Sequence, residues 1–143
     1  MTRIPRSALA DGWFHAFARG VAGQTVYIDR ADYAAFITNL DRTERRFGWR
    51  LHLACLMPTH YHLVVESTVG ALSAGMHRLN GLYAQRFNRR YNRFGHLFAS
   101  RFGARLIEDE RYFEEVCRYT LENPVRGGLC ESVEDWPWTI RRT

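Results

Sequence analysis

The sequence predicts an α+β domain in which amphipathic helices pack on one antiparallel sheet. Two apolar extended stretches, 49–57 and 60–66, meet at Pro58-Thr59, as antiparallel neighbours at the centre of a sheet do. Two other stretches, from Asp29 or Arg30 to about Phe47 and from Ala71 to about Arg93, repeat apolar residues by threes and fours, the period of a helix with one buried face. A chain of 143 residues without repeat, linker or low-complexity stretch fits a single domain, 1–143, with a short tail from about residue 131.

After a basic, frayed start, Gly12 to Arg19 alternates aromatic and small residues and reads as a strand. Gly20 and Gly23 close it, Arg19–Gly23 forms a mobile connection, and Gln24–Ile28 makes a second short strand. Tyr33, Phe36, Ile37 and Leu40 line the first helix, and Gly48 stops it. In the second helix Leu72, Met76, Leu79, Tyr83, Phe87 and Tyr91 form one core-facing stripe. Gly95–Ile107 is an irregular extended segment that completes the sheet, with Phe98, Phe102, Leu106 and Ile107 packed and Arg101 and Arg105 exposed. Glu108-Asp109-Glu110 then caps a third helix, which runs to about Leu121 and ends at Asn123-Pro124, because the residue before proline is disfavoured in the helical region. Trp136-Pro137-Trp138 is a lid over the core.

The charge is +5, and every one of the 20 basic residues is arginine. Between Glu66 and Glu108 there is no acid, while the segment holds Arg78, Arg86, Arg89, Arg90, Arg93, Arg101 and Arg105. With no acid to neutralise it and aromatics nearby, this stretch is a polyanion-binding footprint and points to nucleic acid. Cys55, Cys117 and Cys130 are odd in number and lack Cys-x-x-Cys spacing; the first two lie in apolar runs that suit buried thiols. No export signal and no apolar run of 18 or more residues is visible, so the expectation is a soluble protein of a reducing cytoplasm.

His60-Tyr61-His62 opens the strand after the turn, and on a strand residues i and i+2 share a face. Two imidazoles therefore share one site, most simply a divalent metal, although His-x-His alone is more often an ordinary hydrogen-bonded pair. Tyr119 and Asn123, four apart, lie on one face of the third helix near its end; alone, they read as a packed tyrosine and a terminal asparagine.

Taken together, Gly12-Trp13-Phe14-His15, Arg46-Phe47-Gly48-Trp49-Arg50, Leu56 to Val65, Leu79 to Arg90, Gly95-His96-Leu97-Phe98, Arg118-Tyr119 and Leu121-Glu122-Asn123-Pro124-Val125-Arg126 resemble the single-tyrosine HUH transposases, and most closely their REP-associated branch. The resemblance covers about Gly12 to Trp138. It implies a ferredoxin-like antiparallel sheet with the His-x-His strand in the middle and the tyrosine helix alongside. It further implies that Tyr119 is the nucleophile and that His60, His62 and Asn123 hold Mg²⁺ or Mn²⁺. Insertion-sequence relatives generally carry Gln where Asn123 stands.

The activity so implied is metal-dependent cleavage and strand transfer on single-stranded or hairpin DNA, with a palindromic repeat as substrate and a 5′-phosphotyrosine intermediate. Arg78, Arg86, Arg89 and Arg93 are the expected phosphate contacts on the second helix, joined by Arg101 and Arg105. The resemblance leaves a monomer and a homodimer open, and implies a nucleoid-associated cytoplasmic protein. The alternative reading is a transposase descendant that binds DNA hairpins without cutting. A zinc hydrolase is disfavoured because no His-Glu-x-x-His helix occurs.

Overall fold

Helix starts and stops are written locally. The computed structural model describes residues 12–142; the expected frayed start lies outside these. Asp29 accepts a hydrogen bond from Asp32 N and so caps the first helix, α1 (Arg30–Phe47), which Gly48 ends in the left-handed conformation at φ 68°. Thr68 caps α2 (Val69–Arg90) through Ala71 N, and Asp109 caps α3 (Glu110–Arg126) through Tyr112 N. The stripe expected on α2 is buried from Leu72 through Phe87, while Tyr91 is half-buried.

Five strands form the sheet: β1 (Gly12–Arg19), β2 (Arg50–Met57), β3 (His60–Ser67), β4 (Gly103–Ile107) and β5 (Thr139–Arg141), in the order β4-β1-β3-β2-β5 with every pairing antiparallel. The run β1-α1-β2-β3-α2-β4 with spatial order 4-1-3-2 is the ferredoxin-like arrangement that the resemblance implied. The His-x-His strand is central, with three residue-for-residue partners fixing the face it presents: Phe17 stands opposite His62, Arg19 opposite His60, and Cys55 opposite His62 on the other side.

Strand alternation divides the core into two layers. Phe14, Ala16 and Ala18 of β1 and Tyr61, Leu63 and Val65 of β3 pack on α1 and α2 around Phe36, Leu40, Met76, Leu79 and Tyr83. On the opposite face Leu53, Val64, Ile107 and Val116 form a smaller cluster with Trp13, Phe113 and Leu121, which seats α3. A bulge between Leu51 and Leu53 lets β2 serve both layers, since Leu51 faces the first and Leu53 the second. The odd–even pattern of β3 therefore sends Tyr61 into the larger core and the two histidines toward α3.

Several expectations fail, most of them for a non-local reason. Gln24–Ile28 is not a strand: Val21–Gly23 is a 3₁₀ turn with Ala22 at φ 53° and Gly23 at φ 71°. The following residues are held by Val26 N donating to Pro58 O and by the Tyr83 hydroxyl donating to Val26 O. The 19–23 connection is likewise tied down, because Gly20 N donates to Thr59 O and Val21 N to Leu97 O. Pro124 does not end α3. It is buried inside the helix, which runs on to Arg126 and closes through Gly127 N to Asn123 O and Leu129 N to Pro124 O, so Asn123 opens the last turn and Tyr119 lies one turn before it. Finally, the tail contains β5, paired with β2 through Leu53–Cys55. Its tryptophans do cover the core: Trp138 stacks on Tyr33 at 4.5 Å and Trp136 donates to Leu56 O at 2.9 Å. Cys55 is buried as expected, whereas Cys117 is only half-buried.

Candidate active site

A cleft of about 540 Å³ lies between the sheet and α3. Its floor is β1 and β3, which contribute His15, Phe17 and His62; its wall is α3, which contributes Tyr112, Tyr119 and Glu122. Arg19, Arg105, Arg118 and Arg126 surround it. His62 is 5% exposed and Tyr119 55%, so a buried base and an accessible phenol meet in one space.

His60 and His62 lie with ring centroids 5.2 Å apart and planes at 87°. Burial lowers His60 to about 4, helped by Arg19 opposite it. Burial lowers His62 to about 3, with His15, His60, Arg19 and Arg126 adding positive field. Both imidazoles are consequently neutral near pH 7 and carry free lone pairs, the state that metal ligation requires. His60 Nδ1 is 3.0 Å from Thr59 Oγ1, and His62 Nδ1 is 2.9 Å from His15 Nε2.

Tyr119 lies beneath Arg126, whose guanidinium carbon is 3.9 Å from the ring centroid and whose Nη2 donates to Tyr119 O. The i,i+7 placement of these residues puts them two helical turns apart on one face. Arg126 also pairs with Glu122 at 3.5 Å. Asn123 is half-buried one turn after Tyr119, its backbone carbonyl accepting from Gly127 N. The C-terminal end of α3 adjoins the histidine hairpin: a Cβ on Gly127 would touch Met57 Cε at 3.4 Å, and Met57 is the β2 partner of His60.

Histidine 15 was not singled out from sequence as a site residue, although it closes the first motif of the resemblance. One histidine on an apolar strand carries no signal of its own; only the β1–β3 register reveals it beside His62. Arg19, Arg118 and Arg126 were missed as well, because charge density had drawn attention to the acid-free segment instead.

The arginines expected to meet phosphate are dispersed. Arg105 lines the cleft, opposite His15 across the β1–β4 pairing. Arg101 is exposed beside a separate groove between α2 and residues 96–102. Arg78 and Arg89 sit on α2, in the layer on the far side of the sheet from the cleft. Arg86 and Arg93 are engaged within the protein, and the premise of an unneutralised helix face fails at this point. Arg86 meets the fully buried Asp32 at 2.8 Å, and Arg93 donates to Gln24, Asn88 and the His96 carbonyl. Arg90 bridges Asp29 and Asp32. The acids come from α1, outside the segment whose charge was counted.

A ferredoxin-like sheet with one extra helix across its histidine face is the fold of known transposases. A solved REP-associated tyrosine transposase bound to a REP hairpin superposes with TM-score 0.78 at 16% identity, covering 97% of this chain and 82% of that one. A putative transposase from Deinococcus radiodurans R1 superposes with TM-score 0.53 at 19% identity, covering 85% of this chain and 97% of that one. At these identities the likeness establishes the fold. The family rests on sequence: the profile of IS200-like transposases matches residues 23–123, and the chain belongs to that family. No curated protein matches the chain. Among the described residues no helix is long and apolar enough to cross a membrane.

Proposed function

We propose that the protein is a metal-dependent, single-stranded DNA endonuclease and strand-transferase that acts on hairpin-forming repeat DNA through Tyr119. The observation that carries this reading is the cleft in which the buried, neutral His62 and the exposed Tyr119 face one space ringed by four arginines. Membership of the IS200-like family supports DNA strand transfer, and the fold shared with a protein solved on a REP hairpin supports the hairpin as substrate.

Two imidazoles and an amide oxygen are donor types that suit a divalent ion, although of the three residues only His62 lines the cleft. Among the described residues no three His, Cys, Asp or Glu side chains cluster as ligands, and the third donor in this reading is of another type. Asn123, one turn after Tyr119, has no side-chain hydrogen bond among the described residues and offers an amide oxygen. His60, His62 and Asn123 would hold Mg²⁺ or Mn²⁺, which when bound acts as a Lewis acid on a phosphoryl oxygen.

Tyr119 Oη attacks the phosphorus, an O–P bond forms to the phenol and the P–O3′ bond breaks. The phenol proton passes to water, and the departing O3′ takes up a proton as a free 3′-OH. The 5′-phosphate stays on Tyr119, so a second 3′-OH can reverse the step and join new ends with no further energy source. Arg126 holds the ring by stacking and supplies positive charge to offset the negative charge that gathers on the phosphorane oxygens. Arg19, Arg105 and Arg118 track the backbone at the mouth, with Arg101, Arg78 and Arg89 available to DNA that extends beyond it. Arg86 and Arg93 reach phosphate only by giving up their protein partners. Tyr119 and His62 of one chain line one cleft, which supports use of the tyrosine within its own chain, in a monomer or a homodimer alike.

The test is a labelled hairpin with flanking single strand, incubated with Mn²⁺ or Mg²⁺ and run on a denaturing gel. A covalent adduct that disappears with Tyr119→Phe and with chelator is the expected result. A hairpin bound tightly without adduct, across several palindromic repeats, would overturn cleavage and leave the non-cutting hairpin binder. Mixing Tyr119→Phe with His60→Ala chains regains activity only if the site is shared between subunits.

A further inference from the structure

His62 is held by a residue that the reading above does not use. We propose that His15 is a positioning residue for His62: its Nε2 accepts a hydrogen bond from His62 Nδ1–H and so fixes the tautomer whose Nε2 lone pair is free for a divalent cation. This inference rests on the proposed metal site and names what orients it.

Residue geometry makes the contact specific. His15 is paired with Val64, so His62 is its diagonal neighbour two residues along β3, within reach of a long side chain on the same face. The rings lie 5.1 Å apart with planes at 24°, and the Nε2–Nδ1 distance is 2.9 Å. Phe17 braces both from the side, at 5.1 Å from His15 and 5.9 Å from His62. Gly103 lies across from Phe17 with no room for a Cβ, which would come within 2.3 Å of the ring, so the brace has little space in which to relax.

A neutral imidazole has one donor and one acceptor nitrogen, and the pair can bond in two ways. With His15 donating, the proton of His62 sits on Nε2 and blocks it. With His62 donating, Nε2 carries the lone pair. The environment of His60 favours the second: its Nδ1 is likewise occupied, 3.0 Å from Thr59 Oγ1, a hydroxyl able to accept. Both histidines therefore spend Nδ1 on a neighbour in the protein and keep Nε2, the arrangement by which outer partners fix the tautomer and ring orientation of metal-ligating histidines.

Long-range ¹H–¹⁵N correlation spectra of metal-free, histidine-labelled protein read the tautomers directly. The expected pattern is an unprotonated Nε2 and a protonated Nδ1 on His62, and the same on His15, whose Nε2 accepts. In the His15→Phe variant, checked for folding by circular dichroism, His62 loses the single tautomer and Mn²⁺ affinity falls by about 10–100-fold, the usual cost of removing an outer partner. His15→Gln keeps an acceptor oxygen and restores affinity to within a few-fold. A wild-type His62 protonated on Nε2 would overturn the proposal, as would a folded His15→Phe with unchanged tautomer and affinity. The wild-type spectrum stands even if His15→Phe fails to fold. A protein with the expected tautomer but no DNA adduct would refute strand transfer while leaving the role of His15 intact.

Discussion

Asp32 is the position where substitution should cost the most stability without touching the cleft. Its side chain is fully buried, and it receives four donors: Ile28 N and the Tyr91 hydroxyl on Oδ2, Arg86 and Arg90 on Oδ1, at 2.6 to 2.8 Å. Burial by itself would raise this carboxyl, yet the hydrogen bonds from Tyr91, Arg86, Ile28 N and Arg90 bring it below the ordinary value. Asp32→Asn keeps the size but turns one oxygen into a donor, which then faces either two guanidinium groups or an N–H and a hydroxyl. Breaking one side of a buried pair costs about 3–5 kcal/mol. Here Arg86 and Arg90 are about one-third exposed and recover water, so the lower part of that range applies, roughly 2–4 kcal/mol. For a chain of this size that is a fall in Tm on the order of 5–15 °C. Urea unfolding followed by circular dichroism should show a lower midpoint at unchanged slope. A variant within about 0.5 kcal/mol of wild type would refute the account of Asp32 as the clamp between α1 and α2. A loss of hairpin affinity in folded Asp32→Asn would refute the separation of this clamp from the cleft.

The same layered construction makes three further predictions. Gly103→Ala places a methyl against Phe17, 2.3 Å from its ring in the present geometry, and overpacking of this kind costs about 1–3 kcal/mol, so calorimetry should find a lower Tm together with weaker Mn²⁺ binding as Phe17 presses on His15 and His62. His15, His60 and His62 are lowered to about 4, 4 and 3 from an unfolded value of 6.5. Between pH 6.5 and about 4 the unfolded chain binds protons at these positions that the native state does not, so stability of the metal-free protein, measured by urea titration, is full above pH 6.5 and falls as the pH is lowered through that window. Arg126→Ala removes the cation stacked 3.9 Å above Tyr119 and should slow adduct formation by about 10–100-fold, with Arg126→Lys only partly restoring it because an ammonium does not stack as a planar fork does; rapid-quench adduct assays at saturating hairpin would show the contrary as equal rates.

What the sequence made legible was whatever one helix or one hairpin encodes by itself. Asp29 and Gly48 bracket α1, the Pro58-Thr59 turn pairs β2 with β3, and alternation along β3 separates Tyr61 from the two histidines. Most of the missed features are settled at long range. Val26 and Tyr27 read as strand because they are apolar and buried, but the backbone of Val26 is satisfied by Pro58 and Tyr83 rather than by a ladder. Thr139–Arg141 is too short to signal a strand, and its partner β2 lies more than 80 residues earlier. Pro124 suggested a helix end on local grounds, yet the turn around it is closed by Gly127 and Leu129. Charge counted along the chain missed Asp29 and Asp32, which neutralise Arg86 and Arg90 across 54 to 61 residues of sequence.

This last error explains how the domain is organised. Arginines on α2 and arginines around the cleft have the same side chain and opposite duties, and the sheet is what separates them. On the α1–α2 side, Arg86 and Arg90 are used up by a carboxylate buried beneath them, so their charge serves packing between helices. On the α3 side, Arg19 and Arg105 stand opposite His60 and His15 in the strand register, and Arg118 and Arg126 rise from α3; of these, only Arg126 has a carboxylate partner within 4.0 Å among the described residues. Four arginines against Glu115 and Glu122 leave a cationic excess around the neutral imidazoles, which attracts a polyanion and disfavours protonation of the bases beneath it, two effects of one arrangement. Because β3 alternates strictly, a slip of one residue would bring Tyr61 into the cleft and drive His62 into the larger core. The register that Tyr61 secures by donating its hydroxyl to Asn80 therefore also secures the face on which the histidines stand.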